Sequence, residues 1–137
     1  MKAAVLGSGL IGRSWAMVFA RGGHEVVLWD QDPAQVEKAQ AHIARTLPEM
    51  AAAGLIDDAA ATGARITGAA SLAAAVKDVS FIQENIVERA EPKQELFAEV
   101  ERVAPADAII SSSTSAIMPS IIFGGLATRL PAVLDTL

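Results

Sequence analysis

Gly7, Gly9 and Gly12, together with the carboxylate of Asp30 eighteen positions past the last of them, are the residues whose types and spacing point to chemistry. Without a Cβ, glycine lets a backbone turn sharply and approach a bulky anion. In a G-x-G-x-x-G turn each glycine has its own task. Gly7 permits the turn, Gly9 lets a pyrophosphate reach the backbone, and Gly12 lets the following helix lie close to a sheet. The amides of Leu10, Ile11 and Gly12 would then face a doubly negative group at a helix N-terminus. The Asp30 carboxylate can accept hydrogen bonds from adenosine ribose hydroxyls and would repel a 2′-phosphate, so the pattern points to NAD rather than NADP. The ordinary alternatives are a plain strand-to-helix turn and, for Asp30, the start of the turn Asp30-Gln31-Asp32-Pro33.

What separates these readings is the set of elements around the glycines. Residues 1–6 form a short apolar strand, 11–21 read as a helix, and 25–29 are a second apolar run ending in Asp30. Strand, glycine turn, helix, strand and terminal acid is the order that a dinucleotide fingerprint requires. In the first helix Ile11, Trp15, Val18, Phe19 and Gly22 predict an apolar stripe, closed by Gly22-Gly23. Trp15 reads as a packing residue, and His24 as structural. After Asp32, a cap, and Pro33, a first-turn proline, the positions Val36, Ala39, Ile43, Leu47 and Met50 predict a long amphipathic helix. Pro48 predicts a kink or break near Thr46, because it removes a backbone donor and crowds the preceding turn.

Further on, the chain alternates. A short helix is predicted over 55–62, a strand over 65–67, a helical turn over 71–76 capped by Ser71, a strand over 78–84, a helix following Glu88 to Pro92, and a strand over 108–110. This alternation predicts an α/β fold, a Rossmann-type doubly wound parallel sheet in a single domain. Ligands bind such sheets at the carboxyl ends of the strands. The residues expected to face the cofactor are therefore those of the glycine turn, Asp30, 83–88 and 111–115. The serine run Ser111-Ser112-Ser113-Thr114-Ser115 also reads as a polar loop capping a segment around Pro119. No G-x-S-x-G elbow surrounds any of these serines.

Composition narrows the function further. A chain of 137 residues can bury one core. Its net charge of −5 and lack of a basic stripe argue against nucleic acid as a partner. No eighteen apolar residues run together, so neither a membrane span nor a signal peptide is expected. The chain has no cysteine, which fits a cytoplasmic location. His42 stands alone, without a partner at metal-binding spacing, and no metal is expected.

At this point several separated motifs resemble one family, the NAD-binding domain of the 3-hydroxyacyl-CoA dehydrogenases, including the L-gulonate 3-dehydrogenase/lambda-crystallin branch. They are Gly7-Ser8-Gly9-Leu10-Ile11-Gly12-Arg13-Ser14-Trp15-Ala16, Gln83-Glu84-Asn85-Ile86-Val87-Glu88, Lys93-Gln94-Glu95-Leu96-Phe97, and the serine run with Met118-Pro119-Ser120. The first and last are worded more like the gulonate branch than like the acyl-CoA members. The resemblance implies that Asp30 holds the adenosine ribose, that Glu88 and Lys93 lie beside the cofactor, and that Ser115 hydrogen-bonds the substrate oxygen near the nicotinamide. Without it, Glu88 and Lys93 would read as an exposed pair ahead of a helix. It further implies hydride transfer from a 3-hydroxy acid, a small-molecule substrate, to NAD. The alternatives are a 3-hydroxyacyl-CoA dehydrogenase of fatty-acid metabolism and a non-catalytic NAD-binding or structural module.

The resemblance runs to about Leu126. In the family the next strand leads into a His-x-x-Asn-Pro segment that carries the general base, and a helical second domain completes the substrate site. Here no histidine occurs after His42. The expectation is an NAD-binding domain over 1–126 and a divergent tail over 127–137, from a shortened gene or shifted frame, without the catalytic histidine. Leu130, Val133, Leu134 and Leu137 predict an amphipathic turn. Apolar surface left uncovered would favour a homodimer or other association.

Overall fold

Strand β1 (Lys2–Leu6) is the axis of the sheet, with Ala3, Ala4, Val5 and Leu6 all buried. A strand covered on both faces is a continuous apolar run, as this one is. In a computed structural model that describes residues 1–126 and the backbone of residues 133–135, β1 pairs in parallel with β2 (Glu25–Trp29) on one side and β4 (Phe81–Glu84) on the other. With β3 (Ile66–Gly68), β5 (Ile109–Ser112) and β6 (Val133–Asp135), the sheet has the order β3-β2-β1-β4-β5-β6, all parallel. This is the expected doubly wound sheet. Its order reverses between β2 and β4 across β1, and a crevice opens there at the carboxyl ends.

Helix α1 (Leu10–Arg21) follows β1 but does not bury the predicted stripe. Ile11 and Val18 are exposed, and the buried positions are Gly12, Ala16 and Ala20, flanked by partly buried Trp15, Met17 and Phe19. Small residues at a spacing of four let this helix lie directly on the sheet, and that close approach outweighs the pull of the larger side chains. Gly23, at φ +86°, ends the helix, with the His24 amide donating to the Phe19 carbonyl.

Helix α2 (Pro33–Ala52) starts where the Asp32 carboxylate accepts from the Ala34 amide, and Val36, Ala39, Ile43 and Leu47 face the core as predicted. The expected break near Thr46 does not occur, and the helix continues through Pro48. A proline inside a helix costs about 3 kcal/mol. Burying Val36, Ile43 and Leu47 contributes about 1.5–3 kcal/mol each, enough to carry the helix past an exposed proline ring.

Helix α3 (Ala59–Ala64) begins later than predicted because Asp58 caps it through the Ala61 amide. Helix α4 (Leu72–Val76) is capped by Ser71 as expected. Helix α5 (Ala90–Val103) packs Leu96, Phe97 and Val100 on the opposite face of the sheet, near α6 (Pro119–Phe123), where Phe97 and Phe123 meet with ring centroids 4.7 Å apart. Two apolar clusters thus sandwich the sheet.

The stretch expected as a divergent tail contributes a strand. Ile110 stands opposite Val133, Ser111 opposite Leu134 and Ser112 opposite Asp135, so the predicted amphipathic turn is replaced over 133–135 by β6. An open β5 edge offers a row of backbone donors and acceptors, and a Val-Leu pair suits a pleated ladder. Leu130 and Leu137 lie outside the described residues. No helix among the described residues is long and apolar enough to cross a membrane.

Candidate functional site

The glycine turn sits where the carboxyl ends of β1, β2 and β4 converge. Gly7 adopts φ +86°, and a Cβ there would stand 2.7 Å from the Asn85 carbonyl group, so this position needs glycine for both conformation and space. Gly12 is equally constrained, because an added Cβ would fall 1.7 Å from the Gly7 carbonyl oxygen. Gly9 is different. Its φ is an ordinary −66°, and an added Cβ would meet nothing within 4 Å. No contact inside the protein requires glycine at that position, so its bareness is available to a ligand. Helix α1 has no side-chain cap and no acidic residue in its first turn, which leaves a positive dipole end beside Gly9.

Asp30 is joined to this turn. Its Oδ2 accepts from the Ser8 amide at 2.8 Å and the Ser8 hydroxyl at 3.0 Å, while Oδ1 accepts from the Asp32 amide at 3.0 Å. The carboxylate is thereby held at the rim of β2, half-buried, with lone pairs left for further donors. Between Asp30 and the loop after β4 lies a cavity of about 550 Å³, lined by Gly7, Gly9, Trp29, Asp30, Gln31 and Gln35 on one side and by Asn85, Ile86, Val87, Pro92, Glu95 and Leu96 on the other. One wall is polar and carries the acid; the other is largely apolar. Such a slot has the volume and mixed polarity of a small-molecule site.

The ends of β4 and β5 form a second, denser arrangement. Glu84 is fully buried, and its Oε1 accepts from the Lys93 ammonium at 2.6 Å and the Ile86 amide at 2.6 Å. Its Oε2 accepts from the Ser112 hydroxyl, and the Ser112 oxygen accepts from the Thr114 amide at 3.1 Å. Lys93, 1% exposed, also reaches the Ile86 carbonyl at 3.3 Å and Glu88 Oε2 at 3.5 Å. Glu88 in turn accepts from the Thr114 hydroxyl and from the amides of Ser115 at 3.1 Å and Ala116 at 3.2 Å. Burial works to raise the Glu88 carboxyl, but these three donors and the Lys93 charge outweigh it and hold the group at about 2. Removing one partner of a buried ion pair costs about 3–5 kcal/mol, so the Lys93–Glu84 contact is a fixed point of the site.

Beside it, the Ser113 hydroxyl accepts from Trp15 Nε1 at 3.2 Å and Gln83 Nε2 at 2.8 Å and donates to Asn85 Oδ1 at 2.7 Å. Trp15 is thus a packing residue with a polar anchor, stacked on Phe19 at 5.4 Å.

The structure gathers the sequence-singled residues into two groups. Gly7, Gly9, Leu10, Ile11, Gly12 and Asp30 surround the turn, and Glu88, Lys93 and Ser115 surround the β4 and β5 ends, with the Ser115 side chain exposed. Of the segments expected to face a cofactor, Gln83, Glu84, Ser111 and Ser112 are instead buried within their strands. Lys93 is likewise enclosed, its ammonium turned to Glu84. Glu84, expected only as one of several residues facing a cofactor and given no role of its own, is the centre of the network. Its one signal is its place as a charged residue ending a strand covered on both faces, where apolar residues are the rule. Among the described residues no three His, Cys, Asp or Glu side chains cluster to hold a metal ion.

Comparison with known proteins identifies the family. The family model for the 3-hydroxyacyl-CoA dehydrogenase NAD binding domain matches residues 2–131. The rat lambda-crystallin homolog is 38% identical over 126 residues, 90% of this chain and 40% of that protein. An L-carnitine dehydrogenase from a Pseudomonas species is 37% identical over 117 residues, 85% of this chain and 36% of that protein. Among solved structures, 3-hydroxybutyryl-CoA dehydrogenase from Escherichia coli superposes with a TM-score of 0.91 at 26% identity, covering 98% of this chain and 29% of that one. The chain therefore spans well under half the length of these relatives.

Proposed function

Because this chain belongs to the 3-hydroxyacyl-CoA dehydrogenase family through its NAD-binding domain, we propose that it supplies the cofactor half of a dehydrogenase taking hydride from a small 3-hydroxy acid of the L-gulonate kind. The observation that carries the cofactor site is Gly9: a bare position with open space before it, at a helix N-terminus, on the same cavity wall as Asp30. In this reading Asp30 receives the adenosine ribose hydroxyls, and Gly7 and Gly12 keep the turn closed while the amides of Leu10, Ile11 and Gly12 meet the diphosphate. Bound NAD would supply the hydride acceptor. Ser115, exposed at the end of β5, donates to the substrate oxygen, and Glu88 and Lys93 hold the loop that carries it.

Oxidation of the alcohol also requires a group to take the hydroxyl proton. His24 stands at the entrance to β2, the opposite end of the sheet from the site, and His42 lies on α2. Neither is placed for that task, so we assign turnover to this domain only in company with a proton acceptor from elsewhere in a longer protein. A 3-hydroxyacyl thioester is the second substrate class, favoured by the close superposition on 3-hydroxybutyryl-CoA dehydrogenase.

The test is NADH formation by the chain with L-gulonate, with L-carnitine and with 3-hydroxybutyryl-CoA, beside a direct measurement of NADH binding. Binding without turnover on any of the three is the expected result. Turnover by these residues alone would overturn the requirement for an outside base, and absence of binding would remove the cofactor site.

A further inference from the structure

We propose that Glu84 is the positioning residue of the site, a single buried carboxylate that fixes both the apolar wall of the adenosine cavity and the loop carrying Ser115. The functional meaning of this role rests on the cofactor and Ser115 assignments above. The contacts themselves do not.

Each oxygen of Glu84 has a separate job. Oε1 holds the Ile86 amide at 2.6 Å, at the point where β4 gives way to the loop of Asn85, Ile86 and Val87 that lines the cavity. The same oxygen holds the Lys93 ammonium at 2.6 Å, and Lys93 leads on to Glu88 at 3.5 Å. Oε2 holds the Ser112 hydroxyl, which receives the Thr114 amide. Two chains of polar contacts thus start at Glu84 and end on the same loop. One runs through Lys93 and Glu88 to the amides of Ser115 and Ala116; the other runs through Ser112 to Thr114.

Burial gives the arrangement its stiffness. Glu84 and Lys93 are 0% and 1% exposed, so neither can exchange its partner for water without opening the fold. Lys93 lies between two carboxylates and is nearer to Glu84. With the Glu84 charge gone, Glu88 becomes its only carboxylate partner among the described residues, and Glu88 is drawn away from the amides that it holds in the Ser115 loop. Lys93 accordingly acts on a bound cofactor through the loops it ties, not through its own ammonium.

Amide hydrogen exchange on the ligand-free 137-residue chain tests this, with circular dichroism to establish folding. In Glu84→Gln, which keeps the shape and removes the charge, the Ser115 and Ala116 amides should exchange at least about tenfold faster, although Glu88, their direct partner, is unchanged. Amides of β1 and β2 should keep their protection, and NADH affinity should fall by about tenfold. Unchanged exchange at Ser115 and Ala116 would overturn the proposal. So would acceleration spread evenly over the sheet, which marks a merely destabilised fold. If the single variant does not fold, Glu84→Gln combined with Lys93→Gln removes both buried charges at nearly constant volume. That pair should fold and show the same fast exchange at Ser115 and Ala116; failure of the pair to fold, or wild-type exchange in it, would also overturn the proposal. Because exchange is read without ligand, failure of the unmodified chain to bind NADH would count against the cofactor assignment and leave this one standing.

Discussion

The glycine turn and the β4–β5 network lie side by side at the carboxyl ends of the strands, yet they are built in opposite ways. The turn works by leaving space. At Gly9 no atom beyond the adjoining chain lies within 4 Å of where a Cβ would be, and Asp30 is tied by three hydrogen bonds at a half-open rim. The network works by filling space, with a lysine and a glutamate closed off from water and each oxygen of Glu84 committed. The proposed cofactor site thus pairs an open backbone cradle with a rigid side-chain frame. Substitutions in the cradle should change affinity with little effect on the fold, and those in the frame should change both.

Gly12 belongs to the turn but is packed tightly against Gly7, so it is the exception in the cradle and should show the largest effect. Gly12→Ala puts a methyl group 1.7 Å from the Gly7 carbonyl oxygen, so α1 must move off the sheet. We expect a loss of about 3 kcal/mol of stability or more, read from urea denaturation. A loss below about 1 kcal/mol would mean that the turn is not packed as described.

Gly9→Val should separate binding from folding most cleanly. The side chain enters the space assigned to the diphosphate, so NADH affinity should fall by at least about a hundredfold, while the stability read from urea denaturation drops by no more than the roughly 1 kcal/mol expected at a helix cap. Full affinity in this variant would take the turn out of the site.

Asp30→Ala should be smaller and selective. Losing two charged hydrogen bonds to a ribose weakens NAD by about tenfold to a hundredfold, whereas NADP, freed of repulsion, should lose little or gain. Equal losses for both would argue against the ribose role.

The smallest effect concerns Glu88 in the frame. Its carboxyl is held at about 2 against an ordinary 4.5, so its contribution to stability is fully present above pH 4.5 and is lost as the pH falls toward 2. Glu88→Gln should flatten the decline in thermal midpoint between pH 5 and pH 2 (about the span of that shift) relative to the parent chain. An identical decline would show that the carboxylate does not engage the Ser115 loop.

The same contrast explains what the sequence revealed. The cradle was legible because backbone requirements leave residue types behind: a glycine where φ is positive, a glycine where α1 meets the turn, and an acid at the tip of β2. The doubly wound order followed from the alternation of strands and helices. The frame was not legible in this way. Its contacts join positions 84, 93, 112 and 114, and although the strand ends and the resemblance placed these residues near a cofactor, no spacing shows that they pair with one another. Family resemblance gave roles to Glu88, Lys93 and Ser115 but none to Glu84, which lies in one of the same motifs. The face of α1 was misjudged because size was taken as the signal for burial, where closeness to the sheet favours Ala16 and Ala20. Likewise β6 lies in a stretch whose two adjacent apolar residues carry too short a pattern to separate strand from turn.

The central claim is that an empty backbone position and an acid at a neighbouring strand tip grip the adenosine diphosphate portion of NAD. Calorimetric titration of the folded 137-residue chain with NADH, with ADP-ribose as competitor, tests it most directly. The account predicts saturable heat at one site per chain, displaced by ADP-ribose. A folded chain that gives no heat with NADH and none with NAD would contradict it.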